Sequence, residues 1–141
     1  MVRKLTFGFA VLFGIVVALG YIPGFHTIHH GAAAGQDERL LFGLFRLTLI
    51  DDITHAVTAI AALAASLTSR RASLLFLTAF GFYYALDAIF YLTWGLFNDL
   101  TWKADIALNL PHVLLSAVML ATVYRWAPAL DPGEMPVARP A

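Results

Sequence analysis

The sequence predicts an all-α protein, a bundle of four transmembrane helices, and three observations lead to this fold class. Hydrophobic residues make up 60% of the chain, only 13% of the residues are charged, and the mean hydropathy is +0.77. Soluble domains carry roughly 25% charged residues, so few soluble chains of 141 residues could cover this much apolar surface. The apolar residues also fall into four runs, each close to the ~20 residues that cross a bilayer core.

The four predicted spans cover residues 5–22, 47–67, 74–94 and 104–124, within a membrane domain of residues 1–127. The first run is longer than the apolar core of a typical signal peptide, and the stretch FHTIHHG follows it, so we expect a retained helix. The segment PALDPGEMPVARPA, residues 128–141, is rich in proline and has no apolar period. We expect it to form a disordered cytoplasmic tail.

Composition also excludes several classes of function. The formal net charge is zero, so no bulk electrostatic attraction favours nucleic acid as a partner. The chain has no cysteine, which excludes disulfides, iron–sulfur ligation and thiol catalysis. No nucleophile elbow or other enzyme motif stands out, so the sequence favours a non-enzymatic role.

Basic residues near the ends of the spans predict how the chain is oriented. Six lie on one side of the membrane and three on the other: Arg3, Lys4, Arg70, Arg71, Arg125 and Arg139 against Arg39, Arg46 and Lys103. The first side should be cytoplasmic, which gives a multi-pass protein of the bacterial inner membrane with both termini inside (N-in, C-in).

The outer segment between the first two spans, residues 23–46, is the longest connection. Its second half, DERLLFGLFRL at residues 37–47, mixes apolar and charged residues and predicts a short helix lying in the membrane interface. Its first half carries His26, His29 and His30, which could bind a metal or change charge near pH ~6. A solvated loop without such a role is the other interpretation.

The two halves of the chain resemble each other. TFGFAVLFGIV in the first span matches AFGFYYALDAI in the third, and DDITHAV in the second matches LNLPHVL in the fourth. Because the matches occur in the same order, they predict two tandem helical hairpins that run in the same direction.

Polar and small residues form stripes at helical spacing, which should face the bundle interior because unpaired polar groups are costly in hydrocarbon. The predicted second, third and fourth spans carry, in order, Asp52, His55, Ala59, Ala62 and Ser66; Phe80, Tyr84, Asp87, Tyr91 and Trp94; and Asp105, Asn109, His112, Ser116 and Met119. The first span carries Ala10, Gly14 and Ala18, which predict close approach of another helix.

Five residues of these stripes should lie at a similar depth in the outer leaflet: Asp52, His55, Asp87, Asn109 and His112. One interpretation is a structural polar cluster that fixes helix register. Others are a single Zn, Cu or Fe ion held by His55, His112, Asp52 and Asp87, a haem b between His55 and His112, or proton passage.

The order LGYIPG, a long outer loop, an acid-then-histidine pair and an N-x-x-H pair resembles a broad family of small four-helix bacterial membrane proteins of unknown function. The resemblance runs from Leu5 to Tyr124 and implies a fold without an activity. The family pattern often has a histidine one turn before His55, where this chain has Asp51.

The sequence therefore leaves two hypotheses for function. The first is a non-enzymatic accessory or scaffold subunit of a larger bioenergetic or transport assembly, in contact with lipid and with other membrane protein subunits. The second is a metal- or haem-binding membrane protein that uses His55 and His112.

Overall fold

The computed structural model describes residues 1–29, 38–97 and 101–127, so His30 and the predicted tail at 128–141 lie outside the described residues. The elements in chain order are α1 Val2–Leu19, β1 His26–His29, β2 Glu38–Leu41, β3 Phe45–Leu47, α2 Leu49–Thr68, α3 Arg70–Phe97 and α4 Trp102–Trp126. All four helices are long and apolar enough to cross a membrane. The predicted class, an all-α protein of four candidate membrane helices, is confirmed.

The helices pack in two pairs, α1 along α2 and α3 along α4, and the pairs meet through α2 with α3 and α1 with α3. Arg3 at the start of α1 donates to the carbonyls of Ser66 (2.7 Å) and Leu67 (2.9 Å) at the end of α2. Arg70 at the start of α3 donates to the carbonyl of Trp126 at the end of α4, at 2.8 Å. The two helices within each pair are therefore antiparallel.

The centre of the bundle is a compact apolar core. Its most deeply buried members come from all four helices: Phe13, Ala62, Leu77, Tyr84 and Met119. Large aliphatic side chains on the opposite faces are largely exposed, among them Ile60, Leu75 and Leu86. This inverted distribution fits helices that present their outer surface to lipid.

The predicted close approach along Ala10, Gly14 and Ala18 is wrong for its central residue. A Cβ added to Gly14 would meet no atom within 4 Å, and Gly14 and Ala18 are both exposed. The tight contact occurs instead between α3 and α4, where a Cβ on Gly81 would lie 2.9 Å from Leu120 Cγ. A small residue allows close packing, but only neighbouring side chains decide whether a helix arrives there.

The predicted interfacial helix at residues 37–47 is also wrong, because this segment forms the antiparallel strands β2 and β3 of a three-stranded sheet in the order β1-β2-β3. Residues 42–44 form the tight turn between the strands, and its first two residues, Phe42 (φ 54°) and Gly43 (φ 70°), are both left-handed. Leu41 and Leu47, each buried, then share one face of the sheet with Arg39. An alternation of period two, rather than a helical period, explains these apolar residues.

The histidines predicted in the outer loop lie in the same sheet. His26 and His29 are the first and last residues of β1, which pairs with β2, so the solvated loop expected here is a strand. The His26 ring nitrogen Nδ1 lies 3.2 Å from the carbonyl oxygen of Ile22.

Candidate functional site

Three of the predicted site residues lie near the middle of their helices, on the side toward the sheet. At 1.5 Å per residue, His55, Asp87 and His112 are about 3 to 5 Å from the midpoints of α2, α3 and α4. In candidate membrane helices of this length, mid-helix positions correspond to hydrocarbon depth.

Asp52 belongs to a separate network at the sheet end of the bundle. Its carboxylate, 5% exposed, accepts a hydrogen bond from Tyr21 at 2.7 Å and forms an ion pair with Arg39. Arg39 also donates to the carbonyl of Gly20 at 3.0 Å, and its guanidinium lies 4.5 Å from the centre of the Tyr21 ring. The hydrogen bond to Asp52 raises the pKa of Arg39 above its ordinary value. This network fastens β2 to the ends of α1 and α2.

The neighbouring carboxylate has a different role. Asp51 accepts from the backbone N–H of Thr48 at 2.8 Å, and the Thr48 hydroxyl accepts in turn from the Asp51 N–H at 3.3 Å. This reciprocal arrangement is a capping box at the start of α2. Of the two adjacent acids, Asp51 therefore caps α2 and Asp52 forms an ion pair.

His55 is half-buried, and its Nδ1 lies 2.7 Å from the carbonyl oxygen of Asp51, one turn earlier in α2. Because a carbonyl oxygen can only accept, Nδ1 carries the proton in this contact. The ring packs against Phe13 of α1 with a centroid distance of 5.8 Å.

Asp87 and His112 form the contact between α3 and α4 at this level. His112 Nδ1 is buried and lies 2.9 Å from Asp87 Oδ2, but the alignment is not that of a regular hydrogen bond. The side chains keep 28% (His112) and 22% (Asp87) of their surface exposed. A short, poorly aligned contact that is also open to the surroundings is unusual at hydrocarbon depth.

Asn109 pairs within its own helix. Its side-chain nitrogen donates to the backbone carbonyl of Asp105 at 2.9 Å and to the Asp105 carboxylate at 3.0 Å. Both residues are buried, and the Asp105 carboxylate lies against the bare backbone of Gly95 on α3, where a Cβ would overlap it.

Two aromatic rings connect the histidines. Phe13 of α1 and Tyr84 of α3 stack at 5.3 Å with an interplanar angle of 7°, and Tyr84 packs on His112 at 5.6 Å. With the Phe13–His55 contact, these form a chain of rings, His55–Phe13–Tyr84–His112, that takes one residue from each helix. Each imidazole thus packs on a different ring.

The structure distributes the five predicted site residues over four sets of contacts. Within residues 1–29, 38–97 and 101–127, no group of three or more His, Cys, Asp or Glu side chains is placed to hold a metal ion. Sequence reasoning missed Tyr21, Arg39 and Phe13, since nothing in their spacing links them to Asp52 or His55. The capping role of Asp51 was readable, because Thr48 precedes it by three residues at the start of an apolar run.

The fold and the contacts define a class, a small protein of four candidate membrane helices with a three-stranded sheet at one end. Near the middle of its helices lies a polar layer formed by His55, Asp87 and His112. A family model described as "Domain of unknown function (DUF4383)" matches residues 3–127, and the chain belongs to this family. No curated protein and no solved structure matches the chain.

Proposed function

We propose that this chain is a non-enzymatic accessory or scaffold subunit that packs sideways against another integral membrane protein. The observation that carries the proposal is the Asp87–His112 pair. Both groups lie near the midpoints of their helices, and both keep about a quarter of their side-chain surface exposed, at 22% and 28%.

Contact with lipid is energetically unfavourable for these two side chains. Polar groups at hydrocarbon depth have no water to bond, and ionisable residues there usually face protein or a cavity. A second protein that covers the pair would shield both side chains from lipid.

The surface around the pair fits a protein partner in its chemistry. Tyr83 and Tyr91 lie one turn to either side of Asp87 on the same face of α3, and each is 45% exposed. Their rings supply apolar contact area, and their hydroxyls supply hydrogen bonds. We therefore expect a partner helix with a hydroxyl or amide side chain, such as Ser, Thr, Asn or Gln, facing Asp87.

The proposal includes an orientation, two tandem hairpins in the bacterial inner membrane with both termini in the cytoplasm. Its support is the basic cluster formed by Arg3, Lys4, Arg70, Arg71 and Arg125 at one end of the bundle. The chain lacks cysteine, so single-cysteine variants give a clean test. In intact cells, Leu44→Cys should react with an impermeant maleimide and Thr68→Cys should not. The reverse pattern would overturn the orientation.

The accessory role is tested by crosslinking in the native membrane. A photo-crosslinking amino acid at Tyr91 should give one discrete protein adduct, and the same residue at Ile15, exposed on α1, should not. Native mass spectrometry of the gently extracted protein should then show the 15.4 kDa chain in fixed stoichiometry with that protein. Equal labelling at both positions, together with a lone monomer, would refute the proposal.

The same sample tests the alternative of a bound metal or haem at His55 and His112. A stoichiometric metal content or a Soret band that disappears in the His112→Ala variant would replace the accessory role with a cofactor-binding one.

A further inference from the structure

A cavity of about 280 Å³ opens at the end of the bundle opposite the sheet. Its walls are formed by Met1, Val2, Arg3, Arg70 and Trp126, so the starts of α1 and α3 and the end of α4 meet around it. None of these residues belongs to the polar layer at mid-membrane depth, and the cavity is independent of the partner proposed above.

The two arginines that line the cavity are held in place by backbone carbonyls. Arg3 donates from Nε and Nη2 to the carbonyls of Ser66 and Leu67, and Arg70 donates from Nη2 to the carbonyl of Trp126. A guanidinium has five N–H donors in a planar fork, so the two bonds of Arg3 leave further donors for a ligand. These contacts position both guanidiniums before any ligand arrives.

The described residues at this end of the bundle carry mainly positive charge. Arg3, Lys4, Arg70, Arg71 and Arg125 all lie here, whereas the carboxylates of Asp51, Asp52, Asp87 and Asp105 lie in the middle or at the sheet end. Among the described residues, no Asp or Glu lies beside the cavity. The site therefore attracts an anion, and its fork-shaped donors suit phosphate oxygens in particular.

The position of the cavity identifies the source of the phosphate. It lies at the ends of membrane-spanning helices, where lipid headgroups are found, and Trp126 in its wall is the residue type enriched at that level. We propose that the cavity binds the phosphate of an anionic phospholipid headgroup from the adjacent leaflet, with Arg3 and Arg70 as its ligands. Basic pockets between helices recognise such headgroups.

The test compares lipids and variants of the full chain in nanodiscs. Native mass spectrometry should show one phosphatidylglycerol retained per chain from mixed phosphatidylglycerol–phosphatidylcholine discs, with no comparable retention of phosphatidylcholine. Arg3→Gln and Arg70→Gln should each weaken retention by roughly tenfold or more, because each removes a charge-assisted contact.

Arg71→Gln is the matched control, since Arg71 is exposed, adjoins Arg70 and does not line the cavity. It removes the same charge and should change retention by no more than about twofold, the size of a screened surface effect. An equal loss in Arg71→Gln and Arg70→Gln would overturn the proposal in favour of diffuse attraction. So would equal retention of the two lipids.

Two further arms complete the experiment. If Arg3→Gln disturbs folding, Arg70→Gln alone still decides, because it leaves both carbonyl bonds of Arg3 in place. Inorganic phosphate at millimolar concentration should not displace the retained lipid. Displacement by phosphate would contradict a lipid headgroup as the natural occupant.

Discussion

Gly8 and Gly81 offer a direct test of how the two helix pairs pack. Each is the central residue of a Phe-Gly-Phe tripeptide, one in α1 and one in α3, and the two tripeptides are matched in the internal repeat. Their surroundings differ. A Cβ on Gly8 would meet no atom within 4 Å, whereas a Cβ on Gly81 would lie 2.9 Å from Leu120 Cγ and 3.2 Å from Met119 Cβ.

The expected cost follows from these distances. Nonbonded carbons prefer separations of about 3.5 to 4.0 Å, so Gly81→Ala would press about 0.6 to 1.1 Å too close to Leu120 Cγ. Met119 is fully buried, and its Cβ cannot rotate away, so α3 and α4 must separate. Overpacking of this kind costs about 1 to 3 kcal/mol, while Gly8→Ala should be neutral or stabilising by up to about 1 kcal/mol.

Equilibrium unfolding in mixed micelles, with helix content measured as the fraction of sodium dodecyl sulfate rises, compares the two variants. Gly81→Ala should unfold at a lower detergent fraction than the parent protein, and Gly8→Ala should not, with a gap of about 1 to 4 kcal/mol between them. If both variants unfold together, the close contact between α3 and α4 at Gly81 is wrong.

Three further perturbations follow from the sheet and the polar contacts. In a double-mutant cycle on the same assay, Arg39→Gln and Asp52→Asn should show a coupling of about 1.5 to 3 kcal/mol, and a coupling below about 0.5 kcal/mol would mean that the pair does not hold the sheet. Phe42→Gly should stabilise the protein by about 0.5 to 1 kcal/mol, because it relieves a left-handed conformation at φ 54°. A loss of stability would show that the exposed Phe42 ring makes contacts that outweigh this strain. Gly95→Ala should cost about 1 to 3 kcal/mol by displacing the Asp105 carboxylate, and unchanged hydrogen exchange at the start of α4 would contradict this.

The four helices and the inner faces of α2 and α4 were predictable from the sequence because hydrocarbon leaves few alternatives. Asp52, Ala62 and Ser66 on α2, and Asn109 and Met119 on α4, are buried as their helical spacing requires. The predicted inward stripe on α3 is wrong at its far end, where Tyr91 and Trp94 are 45% and 57% exposed, although Tyr84 is buried. In a bilayer, burying a polar residue between helices is the main way to remove it from lipid, so the pattern is readable.

The three-stranded sheet and the separation of the predicted polar residues into different contacts were not predictable in the same way. Strands of three or four residues carry too few alternations to outweigh an apparent helical period. The partners of Asp52, Tyr21 and Arg39, come from different elements, and only the three-dimensional arrangement brings them together. The internal repeat also did not predict that Gly8 and Gly81 have different surroundings, because identical tripeptides can face lipid or a neighbouring helix.

The location of the polar contacts has a consequence for biosynthesis. The Arg39–Asp52 ion pair and the Arg3–Ser66 bond lie entirely within the first helix pair, and the Asp87–His112 and Asn109–Asp105 contacts lie entirely within the second. The stacked rings of Phe13 and Tyr84 join the pairs. Each pair can therefore leave the translocon with these charges already matched. The two pairs then dock in the bilayer through ring stacking and neutral contacts such as the hydrogen bond from the Ser73 hydroxyl to the Ala65 carbonyl. A chain severed at Ser69 should accordingly reassemble from co-expressed halves.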